Sequence, residues 1–191
     1  YHIVLAVDTT QGTASNRAKL YVNGTQITAF GTETYPSQDY DCHVNNTVAH
    51  HIGAQSRGSA NDHFDGYITE LHSIDGSAKA QTDFGEFNDN GVWVPKAYTG
   101  TYGTNGFFME FKQTGTGTNA SGIGADTSGN NNHFAVNNLA STDIVTDTCT
   151  NNYATMNILT AGSDEPVMRE GNLQQYAHGT SNSAGIAPTI M

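Results

Sequence analysis

The sequence contains few charged residues, few cysteines and no long apolar run. Charged residues make up only 13% of the 191 residues, and uncharged polar residues, mostly Thr, Asn, Ser and Gly, take their place. Long helices need Leu, Glu, Lys and Ala in quantity, whereas this composition suits short strands joined by turns. No helical period persists beyond about two turns, so an all-β fold is predicted.

The missing apolar run and the scarcity of cysteine exclude two further classes of protein. No stretch approaches the ~20 apolar residues of a membrane-spanning helix, so we expect no membrane insertion. The two cysteines, Cys42 and Cys149, match no zinc pattern, which needs ligands in close pairs. A disulfide between them is one alternative, and two free, half-buried thiols are the favoured one.

Basic residues are also scarce. Seven Lys and Arg residues stand against 18 Asp and Glu residues, which gives a net charge of −11. Such a surface repels nucleic acid and anionic lipid, so neither is expected as a partner. The charge is compatible with neutral glycans, with calcium, or simply with solubility.

The clearest local signals are strands and one hairpin. The apolar run Ile3–Val7 predicts a strand buried on both faces. Asn23-Gly24, between residues 19–22 and 25–28, predicts a tight hairpin, because both central residues of a type I′ turn need positive φ. A helical turn is expected within 78–87, with Thr82 as N-cap. Further strands are predicted at 48–53, 64–76, 106–111 and 134–136 and around Val167 and Leu173, and an extended polar segment at 143–157.

A change of composition near residue 90 divides the chain into three expected segments. These are residues 1–88, a β domain; 89–160, an extended Gly/Thr/Asn-rich region; and 161–191, the start of a further β domain. Because Tyr1 opens directly into an apolar run and the chain closes on Ile190-Met191, we expect both ends to be cut from a larger protein. Residues 90–191 contain few strongly apolar strands and are not expected to fold alone.

Four motifs in the first segment share an order known from one family. They are HIVLAVD (2–8), KLYVNG (19–24), HIG (51–53) and FDGYITEL (64–71). In this order they resemble the second half of a concanavalin A-like, laminin-G-like jelly roll, over a little more than a third of the chain. The resemblance implies an antiparallel β-sandwich that lacks its N-terminal half, with the opening strands supplied from upstream or by another chain.

A second set of motifs is similar to segments of large phage and marine-virus tail or fibre proteins. It comprises GFFMEF (106–111), DTSGNNN (126–132) and residues 147–155. Together the two resemblances imply a non-catalytic structural or adhesive module on a virion surface or outside the cell. The expected partners are a glycan or cell-surface receptor, other virion proteins and further copies of the chain, with a trimer as one form. A secreted cellular laminin-G-like adhesion or lectin domain is the alternative, and an atypical glycan hydrolase is a weaker one.

The hypothesis of a glycan hydrolase depends on paired carboxylates. A retaining glycosidase needs two carboxyl groups roughly 5–5.5 Å apart. Glu70 and Asp75 are five residues apart, which would place them on opposite faces of the strand predicted over 64–76. Glu110 has no acidic neighbour in the following ten residues. The sequence therefore favours a module without catalytic activity.

Two candidate sites remain. In the polar loop 31–46, Tyr35, Tyr40, Asp41 and His43 could hold a glycan, because a tyrosine ring can stack on a pyranose. Trp93, between two valines, is expected in a core or interface, and the dispersed histidines on the surface or at caps.

The second candidate is a calcium site. Asp126, Ser128 and Asn130 offer hard oxygen ligands on a tight turn that Gly129 permits. The same pattern also forms a purely structural turn through Asx hydrogen bonds, and both alternatives stay open.

Overall fold

The computed structural model describes residues 1–56, 60–61, 63–145, 167–169 and 174–176. Within them the regular structure is almost entirely strand, and the helices are 3₁₀ turns of three residues at Ala14–Asn16, Gln81–Asp83 and Ser141–Asp143. This confirms the predicted all-β class. The strands are β1 (Ile3–Val7), β2 (Ala18–Val22), β3 (Thr25–Ile27), β4 (Gln55–Ser56), β5 (Ala60–Asn61), β6 (Leu71–Ser73), β7 (Gly85–Phe87), β8 (Trp93–Pro95), β9 (Phe107–Met109), β10 (Val167–Arg169) and β11 (Gln174–Tyr176).

These strands form small antiparallel sheets. β1, β2 and β3 make a three-stranded sheet in that order, and the other sheets are the pairs β4–β5, β6–β9, β7–β8 and β10–β11. Within the described residues, no helix has the length and apolar character needed to cross a membrane.

The predicted hairpin between β2 and β3 is confirmed. Val22 pairs with Thr25 across the turn, and Asn23 and Gly24 have φ angles of 47° and 78°. Both values lie in the left-handed region that a type I′ turn requires. The side-chain oxygen of Asn23 also accepts a hydrogen bond of 2.8 Å from the backbone N–H of His2, which ties the turn to β1.

The prediction that β1 is buried on both faces is wrong. Ile3 and Leu5 are 65% and 64% exposed, whereas Val4 and Ala6 on the opposite face are half-buried. Side chains alternate between the two faces of a strand, and only the face that carries Val4 and Ala6 is partly covered by the described residues.

The long strand predicted over 64–76 is also wrong, because only Leu71–Ser73 forms one. Glu70 has a φ of 49° and Gly66 a φ of 158°, so the backbone leaves the extended conformation before β6 begins. The alternating pattern of residues 67–74 therefore does not correspond to alternating faces of one strand.

Three other local predictions are wrong. Residues 48–53 and 134–136 form no strand. The helical turn predicted within 78–87 exists as Gln81–Asp83, but its N-cap is Ala80, and Thr82 lies inside the turn. The Asp83 carboxylate accepts the Ala80 N–H at 3.0 Å, so the third residue of the turn satisfies the backbone N–H of the N-cap residue.

The buried core lies around β9 and the loop that follows it. Met109 is 0% exposed, and Ile123, Ala125 and Phe84 are also buried. Residues 113–133 form a long loop, and its part from Gly122 to Asp126 runs through the interior. Its backbone is held there in part by the hydrogen bond from the Phe134 N–H to the Gly124 carbonyl.

Strand pairing crosses the segment boundary predicted at residue 88. β7 and β8 are the two arms of one hairpin whose turn contains that boundary, with Phe87 paired to Trp93. β6 likewise pairs with β9, so that Leu71 lies opposite Met109. Each of these pairs therefore joins residues on the two sides of that boundary.

The later part of the chain is described only in pieces. β10 and β11 pair with Val167 opposite Tyr176, in agreement with weak strands around Val167 and Leu173. Leu173 itself, Cys149 and residues 146–166 lie outside the described residues. The extended segment predicted over 143–157 is thus described only at its start, where Asp143 ends a 3₁₀ turn.

Candidate functional site

The predicted glycan-binding residues all lie in one loop, the tyrosine loop (residues 31–46). Arg17, just before β2, holds this loop with its planar guanidinium group. Nη1 donates to the Pro36 carbonyl at 2.9 Å, while Nε and Nη2 donate to the carbonyls of Gln11 and Gly12 at 2.8 and 3.0 Å. Because the donors of arginine are fixed in one plane, the three bonds also fix the loop relative to the β1–β2 connection.

Two further hydrogen bonds continue this attachment. The Asp39 N–H donates to the Thr9 carbonyl at 2.9 Å, and Gln38 Nε2 donates to the Thr10 carbonyl at 3.2 Å. Asp39 adopts a φ of 57°, which turns the chain immediately before Tyr40. The backbone that leads into Tyr40 is therefore held in place, so Tyr40 does not lie at a free loop tip.

Tyr40, Asp41 and His43 are all exposed to solvent in the tyrosine loop. Tyr40 is 47% exposed, and Asp41 and His43 are exposed. Asn46 donates from Nδ2 to the Asp41 carboxylate at 3.3 Å and from its backbone N–H to the His43 carbonyl at 3.1 Å. These contacts close the bend, while Tyr40 and Asp41 remain exposed to solvent.

Tyr35 differs from Tyr40. It is half-buried, and its hydroxyl donates a hydrogen bond of 2.9 Å to the Glu33 carboxylate. This bond raises the pKa of Tyr35, because it stabilises the protonated hydroxyl. Tyr35 therefore has less free hydrogen-bonding capacity for a ligand than Tyr40.

The expected calcium ligand Asp126 is 5% exposed, and backbone donors surround its carboxylate. Oδ1 accepts the N–H groups of Phe108 and Ser128, each at 2.9 Å, and Oδ2 accepts the Asn132 N–H at 2.9 Å. Burial acts to raise the pKa of Asp126, but these bonds outweigh it and hold the pKa below its ordinary value. Donor hydrogens thus lie where a cation would need free oxygen lone pairs.

The other two expected ligands take part in the same network. The Ser128 hydroxyl oxygen accepts the Asn130 N–H at 3.3 Å. The Asn130 amide nitrogen donates to the carbonyls of Gly103 and Gly106, at 2.5 and 2.9 Å. The loop is thereby joined to the start of β9, which favours the structural-turn alternative.

The described residues contain no group of three or more His, Cys, Asp or Glu side chains that could hold a metal ion. Calcium binding by Asp126, Ser128 and Asn130 stays a prediction, and it would require some of these hydrogen bonds to be exchanged for metal contacts.

The sequence did not indicate a cluster of rings around His72, which was expected at the surface or at a cap. The His72 imidazole stacks on Phe108 with ring centroids 4.2 Å apart and contacts Tyr102, Phe84 and Tyr98 at 6.0, 5.5 and 6.3 Å. Four of these five residues come from β6, β9 and the segment between β8 and β9. Only the alternation of aromatic residues with Gly and Thr at 98–108 could have indicated it.

The environment of His72 keeps its imidazole neutral. Burial among the rings, with a smaller contribution from the charge of His2, lowers the pKa of His72 to about 4. Tyr102 is affected in the opposite direction, since burial and nearby negative charges raise its pKa to about 12. Both groups are therefore uncharged at neutral pH, and the largely half-buried cluster of rings carries no charge.

Trp93 joins the β1–β2–β3 sheet to the β7–β8 hairpin, in agreement with its expected place in a core or interface. Its Nε1 donates to His2 Nδ1 at 3.1 Å. A Cβ atom added to Gly24 or to Gly85 would overlap the indole ring, so both glycines allow the ring to lie directly against the backbone. Burial lowers the pKa of His2, which preserves the neutral acceptor that Trp93 needs.

Glu70 and Asp75 do not lie on opposite faces of one strand, because the strand between them spans only Leu71–Ser73. Asp75 has a structural contact instead: its carboxylate accepts the backbone N–H and the Nδ2 of Asn105, at 3.0 and 3.1 Å. Glu70 lies close enough for its charge to raise the pKa of Tyr102. Neither contact shows the Glu70 and Asp75 carboxylates as a catalytic pair.

Comparison of the chain with models of known protein families, with curated proteins and with solved structures found no significant match in any of the three.

Proposed function

We propose that this chain is a non-catalytic structural and adhesive module of a virion fibre, tail or surface protein, and that it binds a glycan or glycosylated receptor through the tyrosine loop. The proposal rests on the exposed Tyr40 ring beside Asp41 and His43, on a loop that Arg17 fixes to the sheet. An exposed aromatic ring followed in the chain by a carboxylate and an imidazole suits a neutral sugar, which offers C–H groups to the ring and hydroxyl groups to the two polar side chains.

We also propose that the chain adopts a β-sandwich fold. The three-stranded sheet and the β6–β9 and β7–β8 pairs would be part of a concanavalin A-like β-sandwich, the architecture implied by the resemblance of residues 2–71. The exposed apolar face of β1 supports this assignment, because a sheet with one apolar face is stable when a second layer covers it.

The test is a glycan-array screen of the full chain, with calcium and with chelator. We expect binding that is lost in Tyr40→Ala and largely kept in Tyr40→Phe, since stacking depends on the ring. Tyr1→Ala is the matched control, because Tyr1 is fully exposed and outside the loop.

If chelator abolished glycan binding, the glycan site would be assigned to the Asp126 turn and not to the tyrosine loop. Equal binding by the wild type and Tyr40→Ala would exclude the tyrosine loop, and a wild type that binds no glycan under either condition would leave a purely structural role.

A further inference from the structure

β1 is an edge strand with an unpaired row of backbone hydrogen-bonding groups. The Asn23 N–H donates to the His2 carbonyl and the Asp8 N–H to the Arg17 carbonyl, both at 2.8 Å. Hydrogen bonding alternates along an antiparallel strand, so the even-numbered residues 2–8 face β2. Ile3, Leu5 and Val7 consequently direct their N–H and C=O groups to the open edge, with which no strand pairs in the described part of the chain.

The same three residues also carry the exposed apolar face. Across the sheet Ile3 lies opposite Val22, Leu5 opposite Leu20, and Val7 opposite Ala18, so the face is apolar on both strands. Proteins usually protect an open edge with Lys, Pro or a bulge, and β1 has none of these.

We propose that β1 pairs in antiparallel orientation with β1 of a second copy of this chain, with Leu5 opposite Leu5 on a two-fold axis. In this register Ile3 of each copy lies opposite Val7 of the other. Each of these residues directs both backbone groups to the edge, so all of them find partners. The contact is isologous and joins two three-stranded sheets into one six-stranded sheet with a continuous apolar face.

Hydrogen-bond complementarity favours a second copy over an unrelated strand. The register places His2 of one copy opposite Asp8 of the other and brings no like charges together. Because His2 Nδ1 accepts from Trp93, the imidazole proton is on Nε2, where it can be donated to a carboxylate. Residues 2–8 contain only one acidic residue, whereas the whole chain has a net charge of −11.

The test uses the full chain in sedimentation equilibrium at several concentrations. We expect the wild type to form a dimer and Leu5→Lys to be monomeric, with self-association weakened at least about a hundredfold. Leu5→Lys removes two apolar contacts and places two like charges directly opposite each other. Thr25→Lys is the matched control: Thr25 is exposed on the same face, opposite Val22, but at the other edge of the sheet.

A charge-swap pair makes the test specific to the two-fold register. Leu5→Glu alone should be monomeric, and an equimolar mixture with Leu5→Lys should recover the dimer, because Lys and Glu then face each other on the axis. Far-UV circular dichroism checks that each variant is folded. If neither folds, Leu5→Cys in a Cys42→Ser, Cys149→Ser background should form a disulfide-linked dimer on mild oxidation, since hydrogen-bonded partners lie about 5.5 Å apart.

A monomeric wild type at all concentrations would overturn the proposal. So would an assembly, including a trimer, that persists in Leu5→Lys, or a mixture of the charge-swap variants that stays monomeric. Tyr40 takes no part in the proposed pairing, although the tyrosine loop is attached at Thr9 and Thr10, directly after Asp8. Self-association and glycan binding of the wild type are therefore measured separately, and failure of one does not decide the other.

Discussion

The Nδ1 atom of His72 lies 2.9 Å from the hydroxyl oxygen of Tyr102, although the two residues are 30 positions apart in the chain. Their rings are nearly parallel, with an interplanar angle of 11°. The contact joins β6 to the segment that precedes β9, and burial among aromatic rings favours the neutral form of His72.

The stability of the protein should therefore fall in mild acid. The pKa of His72 is about 4 in the folded chain and ordinarily 6.5, so the unfolded chain binds more protons between these values. The contribution of His72 is complete above about pH 6.5 and is lost as the pH falls to about 4; allowing for partial solvent exposure, it is about 1–2 kcal/mol. Urea unfolding from pH 4 to 7 measures it.

Two variants separate His72 from the other titrating groups. His72→Phe keeps a ring in the cluster and should reduce the pH dependence, whereas Tyr102→Phe should keep it and lower stability at every pH by about 1 kcal/mol. An unchanged slope in His72→Phe would show that other groups cause the acid sensitivity.

The Trp93 ring leaves no room for a side chain at Gly85. Gly85→Ala should destabilise the chain by about 1–3 kcal/mol, because the new methyl group overlaps the indole. Tryptophan fluorescence should report the displacement directly, since Trp93 is the only tryptophan. Gly12→Ala is the control, as its Cβ would meet nothing within 4 Å; equal effects of the two substitutions would contradict the packing described.

Asp126 should matter through hydrogen bonds and not through a metal. Asp126→Ala leaves the N–H groups of Phe108, Ser128 and Asn132 without their acceptor, and we expect a loss of at least about 3 kcal/mol. The melting temperature of the wild type should be the same in calcium and in chelator. A clear rise with calcium would instead show binding to the folded state and support the metal alternative.

Arg17 should control the order of the tyrosine loop more than the stability of the sheet. Arg17→Gln removes the donors to Pro36, Gln11 and Gly12 and should cost about 1 kcal/mol of global stability. Hydrogen exchange at the Asp39 amide should accelerate, because its bond to Thr9 depends on the same attachment. Lys19→Gln removes an equal charge from β2 and should leave this exchange rate unchanged.

The sequence by itself determined the features that depend on neighbouring residues. Asn23-Gly24 specified the hairpin because both residues accept positive φ, and the shortage of helix-forming residues specified the all-β class. The apolar run at Ile3–Val7 specified a strand, because strand formation depends on local β-branched and apolar content. The tyrosine loop was predicted as a loop for the same reason, because its polar composition and its proline are local signals.

Only the tertiary structure decided which faces are buried and what the polar side chains bind. The exposure of Leu5 and the burial of His72 depend on which distant segments pack against each strand, and composition does not encode that. The positive φ of Glu70 broke a pattern that local sequence predicted as one strand. Asp126 offered the same oxygens to calcium or to backbone donors, and the choice depends on where the N–H groups of Phe108 and Asn132 lie in three dimensions.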